Sequence, residues 1–232
     1  MIKEGTVLFD LSSMGELVKG RFLKRENRFI GIVDVDGGIY NCHIADTGRL
    51  KEILTENREV LLSKNPDHLK TDFKLLACKM EHWALINTSI HSKIARSAIQ
   101  KGVLGFIPAD VKSEIKVGNS RLDFLVDDMF IELKGSNLLI ENRCVFPDAP
   151  TKRGVKHIKE LIAIAEKGGK AGILIMALRD CNCFRPHLEM DRDFAFFFKT
   201  AIEKGVKFFS FKVRVEETTV IYIGNLNLCE GK

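Results

Sequence analysis

The sequence contains no apolar run long enough to cross a bilayer. Its longest, Ala171 to Leu178, falls far below the ~20 residues that a spanning helix needs. Met1 to Glu16 holds no apolar stretch of signal-peptide length, so the expectation is a cytoplasmic chain with no membrane partner. Cys-x2-Cys pairs are missing too. The six cysteines, at 42, 78, 144, 181, 183 and 229, are scattered, which argues against a zinc ribbon and a disulfide framework and predicts reduced, mostly buried thiols. There is no internal repeat and no low-complexity tract.

What is present is ordinary globular chemistry. With 232 residues, 45% apolar and 29% charged, the chain suffices for one large domain or two small ones. A net charge of +5 and a pI near 8.8 permit a polyanionic partner without requiring one.

The first eighty residues read as all-β with one short helix. Alternating runs at Thr6 to Leu11, Glu16 to Arg25, Arg28 to Val35 and Ile39 to Ile44 are followed by a candidate helix, Arg49 to Glu56. Further strands at Val60 to Ser63 and Leu75 to Met80 complete a small barrel of the OB type. Within it Lys19, Arg21, Lys24, Arg25 and Arg28 are interleaved with Phe22 and Phe29. That pattern suits a groove that neutralises phosphates while aromatic faces stack bases, or a solvated hairpin with two core phenylalanines.

Around residues 81–91 the pattern changes, giving an OB-like domain over 1–83 and an α/β domain over 84–232. Ser92 to Lys101 and Asp193 to Lys204 read as helices. Val155 to Lys167 is a third, with Val155, Ile158, Leu161, Ile162 and Ala165 at helical spacing. Ala171 to Leu178 is a strand buried inside a parallel or mixed sheet.

The central signal is Asp123, Glu132 and Lys134, an Asp-x8-Glu-x-Lys array in a predicted hairpin turning at Asp127-Asp128. That register sets Asp123 opposite Glu132. Leu122, Phe124, Val126, Met129, Ile131 and Leu133 then face the core, and Arg121, Asp123, Glu132 and Lys134 face the other way. Like charges opposite each other in a ladder repel by about 0.2–1 kcal/mol. A hard cation, Mg²⁺ or Mn²⁺, would turn the pair into a ligand set, whereas diagonal Arg121/Glu132 and Asp123/Lys134 contacts would offset the repulsion on a merely solvated face. Two carboxylates as metal ligands with a lysine beside them are the layout of PD-(D/E)XK nucleases, which the segment resembles. Lys152 and Arg153 precede the next helix, whose first turn bears Lys156 and His157 and whose amino terminus favours a phosphate; His157 also reads as an ordinary surface residue.

A broader resemblance rests on several motifs. Asp46-Thr47-Gly48, Asn87-Thr88, Ser120 to Leu125, Glu132-Leu133-Lys134, Phe146-Pro147-Asp148-Ala149, Thr151 to His157, Phe184-Arg185-Pro186 and Asp191 together resemble the sugar fermentation stimulation protein family, SfsA. The resemblance implies an amino-terminal OB-like barrel, a restriction-endonuclease-like carboxyl-terminal domain with a mixed sheet flanked by helices, and DNA binding with little sequence preference. The chain departs from the family pattern at Ala45-Asp46, where members tend to read Pro-Asn. Ser97 also stands where a helix acid, often a further metal ligand in such nucleases, is typical. Two functions follow: a divalent-metal-dependent DNA nuclease, or a non-catalytic DNA-binding regulator of sugar (maltose) metabolism. No constellation for sugar chemistry is seen, and whether the chain forms a homo-oligomer stays open.

Overall fold

Alternating apolar residues shape the first part of the chain. The computed structural model describes residues 2–118 and 120–230. Its early strands are β1 (Val7–Asp10), β2 (Leu17–Arg25), β3 (Ile30–Val35), β4 (Gly38–His43), β5 (Arg58–Lys64), β6 (Phe73–Lys79) and β7 (Trp83–Leu85). Phe22, Val33, Cys42, Val60, Leu62 and Leu75 point inward from β2 to β6 and form one core. The strands run in the order β4-β3-β2-β5-β6, and a short parallel pairing of β4 with β6 brings the two edges together. This is the OB-like barrel.

Two expectations for this half are corrected. Arg49 to Glu56 is not a helix: Leu50 takes a φ of 48°, and the segment winds through turns. Burying both Leu50 and Ile53 at the end of the barrel favours this tight path over a helical one. The first strand also has a distant partner, because β1 pairs antiparallel with β16, the last strand, and not with the barrel.

Helix α1 (His91–Gln100) opens the second part. It is followed by β8 (Val111–Val117), β9 (Ser120–Val126), β10 (Met129–Ser136), β11 (Leu138–Ile140), β12 (Arg143–Phe146), α2 (Lys152–Glu166), β13 (Lys170–Ala177), β14 (Phe184–Pro186), α3 (Arg192–Glu203), β15 (Lys207–Glu216) and β16 (Thr219–Asn225). Strands β10, β13 and β15 are parallel neighbours, while β8, β9 and β16 pair antiparallel at the flanks. Strands β11, β12 and β14 form a small separate sheet.

Helices cover both faces of the main sheet. Ile94, Ala95, Ala98 and Ile99 of α1 pack on Phe124, Val126, Ile131 and Leu133. Ile158 and Leu161 of α2, with Phe194 and Phe198 of α3, pack on Ile173 and Ile175 from the opposite side. A parallel strand covered on both faces must be apolar throughout, and seven of the eight residues of β13 are buried. Among the described residues no helix is long and apolar enough to cross a membrane.

The cysteine expectation is also corrected. Cys144 is bonded to Cys181 and Cys183 to Cys229, with Cα separations of 5.8 and 4.9 Å. Spacing along the chain hid this, because the partners meet only when β12, the segment before β14 and the chain end fold beside one another. Cys42 and Cys78 remain free and buried, as expected, and burial pushes both thiols up.

Candidate functional site

The hairpin forms with the predicted two-residue turn. Val126 pairs with Met129, Leu125 with Phe130 and Phe124 with Ile131, and Asp127 takes the left-handed φ of 52° that a tight reversal needs. The regular ladder then ends. In place of a rung between Asp123 and Glu132, the Asp123 carboxylate itself accepts the Leu133 N–H at 2.7 Å, a side chain standing in for a backbone acceptor. The break also redirects Leu122, which packs with the α2 and α3 core and not with Phe124.

The second face is not solvated. Helices α2 and α3 cover it, leaving Glu132 only 2% exposed. The diagonal ion pairs do not form either. Lys134 contacts the Glu132 carboxylate on its own strand, and Arg121 reaches Glu114 at 3.3 Å. A fourth group completes the cluster: His157 of α2, buried, hydrogen-bonds through Nδ1 to the same Glu132 oxygen, Oε1, that Lys134 contacts.

Glu132 Oε2 has no hydrogen-bond partner although it is fully buried. Burial alone would raise the Glu132 carboxyl; the His157 hydrogen bond and the Lys134 charge outweigh it and hold the group below the ordinary carboxylate range. Asp123 goes the other way. Burial first, then repulsion from Glu132, pushes it up to about 6 against the pull of Lys134. The site is thus one firmly ionised carboxylate beside one that ionises reluctantly.

Helix α2 begins earlier than its apolar spacing suggests. Thr151 caps it by accepting the Gly154 N–H at 3.0 Å, so Lys152 and Arg153 sit in its first turn. Asp191 anchors this end, one oxygen accepting the Thr151 N–H at 2.8 Å while the other caps α3 through Phe194 at 2.9 Å. Lys152, Arg153 and Lys156 are exposed and, with Arg121, Ser120 and His157, line an open pocket on the carboxylate side of the sheet. Ser97 lies elsewhere. Its helix, α1, packs on the opposite face of the sheet, and its hydroxyl accepts from Lys101 at 3.1 Å, so it does not stand in for a ligand to this pair.

The barrel cations separate. Lys19 and Arg21 border a depression that also holds Asp34, Asp36 and Glu59. Lys24 lies 3.7 Å from Glu26. Phe22 is core, whereas Phe29 is 49% exposed beneath the Arg28 guanidinium at 5.8 Å. Arg28 reaches the pocket that Lys134 also lines. Arg25 is structural: its five N–H donors meet the carbonyls of Asn27, Gly48, Arg49, Arg28 and Asp46, leaving none for a phosphate. We expect Arg25→Ala to lower unfolding stability by about 1.5–3 kcal/mol, read from urea melts. Weaker DNA binding at unchanged stability would instead restore Arg25 to the interface.

An OB-like barrel joined to a restriction-endonuclease-like core, with Asp123 and Glu132-x-Lys134 on one strand pair and His157 of α2 against them, defines a two-part protein of the OB and restriction-endonuclease-like fold classes. Family models match along the chain: SfsA N-terminal OB domain over residues 23–86 and Sugar fermentation stimulation protein RE domain over residues 89–219. The chain belongs to the sugar fermentation stimulation protein family. It is 38% identical to the homolog from Sulfolobus acidocaldarius over 95% of this chain and 92% of that one. The Methanococcoides burtonii homolog is also 38% identical, over 91% and 92%. A solved structure of Pyrococcus furiosus SfsA in complex with Ca²⁺ superposes with a TM-score of 0.88 at 31% identity, covering 97% of this chain and all of that one.

Proposed function

We propose that the protein is a divalent-metal-dependent DNA phosphodiesterase with little sequence preference, acting at Asp123, Glu132 and Lys134. The orphaned Glu132 Oε2 carries the reading. A buried anionic oxygen without a partner is costly, and a cation shared with Asp123 would satisfy it. Among the described residues no group of three or more His, Cys, Asp or Glu is arranged to hold a metal. Mg²⁺ in particular needs only one or two carboxylates and completes its shell with water and substrate phosphate. The related Pyrococcus protein is described in complex with Ca²⁺, another hard, oxygen-liganded ion.

When bound, such an ion supplies phosphate neutralisation and a water of lowered pKa. The chain's own residues do the rest. His157 occupies Glu132 Oε1 and so leaves Oε2 as the oxygen available to a cation, a positioning role. The Leu133 N–H fixes Asp123 in the same way. Lys134 brings a cation to the site to stabilise charge building on the phosphoryl oxygens. Lys152, Arg153 and Lys156 hold the flanking backbone.

The test is incubation of pure protein with supercoiled, linear and single-stranded DNA in Mg²⁺, Mn²⁺ or EDTA. Metal-dependent cleavage is expected, and salt-sensitive binding with no cleavage under any condition would support the non-catalytic regulator instead. Binding should be predominantly electrostatic, with log K falling by about 0.9 per neutralised phosphate against log salt on duplex and about 0.7 on single strands. Arg153→Ala should shallow the slope by about 1. Affinity unchanged across a salt titration would rule this interface out.

A further inference from the structure

Behind Lys134 lies a second compartment that the phosphodiesterase reading leaves unused. It is a pocket of about 310 Å³ between the barrel and the core, walled by the Asp46-Thr47-Gly48 loop on one side and Pro147 to Thr151 on the other. The two halves are fastened around it. Asp148 accepts the Arg49 N–H at 3.0 Å, Thr88 donates to the Ala45 carbonyl at 2.9 Å, and Asn137 donates to Asp46 at 3.2 Å. Gly48 has to be glycine for this closure, because a Cβ there would fall 2.1 Å from the Asp148 carboxylate.

Two buried side chains lining the pocket each keep one polar atom without a partner. Asn137 is 8% exposed and its Oδ1 accepts nothing; His91 is 9% exposed and its Nε2 has no partner. Each has been taken out of water without a replacement. His91 sits so close over Gly135 that a Cβ there would meet the ring at 2.7 Å, and its burial keeps the imidazole neutral, with its pKa lowered to about 4. Arg28 and Lys134 line the pocket as well, but beside Asp46 and Asp148 the unpartnered Asn137 carbonyl is an acceptor, and the partner it lacks is a donor. Lys134 borders this pocket and contacts Glu132 in the carboxylate cluster, so a ligand here would sit immediately beside a scissile phosphate.

We propose that this pocket takes the unpaired base of a single nucleotide carrying an exocyclic amino group, the amino group donating to Asn137 and the flanking carboxylates. The proposal rests on the phosphodiesterase reading for what lies next door, and it narrows the substrate to DNA that presents an unpaired base there. A half-open pocket of this size, at the small end of ligand pockets, has room for one base, which has to leave the stack to enter it. Carboxylates and amide oxygens accept from the amino groups of cytosine and adenine, whereas thymine offers an oxygen in that place.

Fluorescence anisotropy with full-length protein in EDTA, where metal-dependent cleavage is absent, tests this on dC, dA, dT and abasic 12-mers of equal length and charge. The dC and dA strands should bind about tenfold more tightly than dT, with abasic DNA weaker still, and Asn137→Leu should flatten the series. The wild-type comparison needs no variant to fold. Equal affinity for all four strands, with a normal salt slope, overturns the base pocket and leaves the phosphodiesterase reading standing. Failure to bind any strand at low salt overturns both.

Discussion

With Mg²⁺ or Mn²⁺ present, Asp123→Ala, Glu132→Ala and Lys134→Ala should each reduce DNA cleavage by about a hundredfold or more, the scale of removing one preorganised stabilising group. The three should behave as a unit. A double variant should be little worse than either single, because whatever removes the metal or its counter-charge removes the same step. His157→Ala should do less than Glu132→Ala and should raise the metal concentration needed for half-maximal cleavage, since it orients Glu132 without touching substrate. His157→Gln, which can still hydrogen-bond Glu132, should recover part of the loss. Circular dichroism and melting on each variant separate chemistry from unfolding. Cleavage that survives in Asp123→Ala, or in excess EDTA, would assign the activity to another site.

The melting temperature should rise on adding Mn²⁺, and this second effect requires no turnover. A cation that binds only the folded chain stabilises it by RT ln(1 + [L]/Kd), or about 2.7 kcal/mol at a hundredfold excess over Kd. Asp123→Asn should erase most of that rise. It should also leave the metal-free protein no less stable, because an asparagine oxygen can still accept the Leu133 N–H while the repulsion from Glu132 disappears. The pH dependence follows with a definite sign. Asp123 is raised from 3.8 to about 6, so the folded state holds its proton more tightly than the unfolded state does. Its ionisation therefore opposes folding. The penalty is absent below pH 4, builds between about pH 4 and 6, stays at its full size above that, and is missing from Asp123→Asn. Melts in EDTA at pH 4.5 and 7.5 should show the variant gaining on the wild type at the higher pH, and a gap that stays constant would contradict the assignment.

Much of this was legible because local rules decided it. The hairpin around Asp127-Asp128, the buried strand β13 and the apolar stripes of the helices follow from periodicity and turn chemistry, and the structure places them within a few residues of the expected ends. Contacts distant in sequence were not legible. Nothing in Val7–Asp10 marks β16 as its partner, and no spacing rule joins Cys183 to Cys229. The exposure of the carboxylate face was misjudged because alternation reveals two faces without revealing that helices cover both. His157 did carry a signal. It lies three residues after Gly154 and four before Leu161, on the buried stripe of α2, and a histidine in that position has to find a partner. The Arg25 clamp left no such trace, since a basic residue on an alternating strand looks the same whether it faces phosphate or carbonyls.

Strand β10 and its continuation serve both compartments. Glu132 belongs to the carboxylate cluster, Gly135 and Asn137 to the pocket beside the barrel, and Lys134 to both. Because side chains on a strand alternate, inserting or deleting one residue upstream within β10 would turn these side chains to the other face and disrupt both sites at once. Point substitutions at Glu132 and at Asn137 should therefore be separable in their effects, one compartment at a time, whereas a change at Lys134 or a change of length should not. In a library of random codon deletions and insertions, this strand should emerge as a segment with no functional survivors, even where an exposed turn such as Asp36-Gly37, between β3 and β4, accepts them.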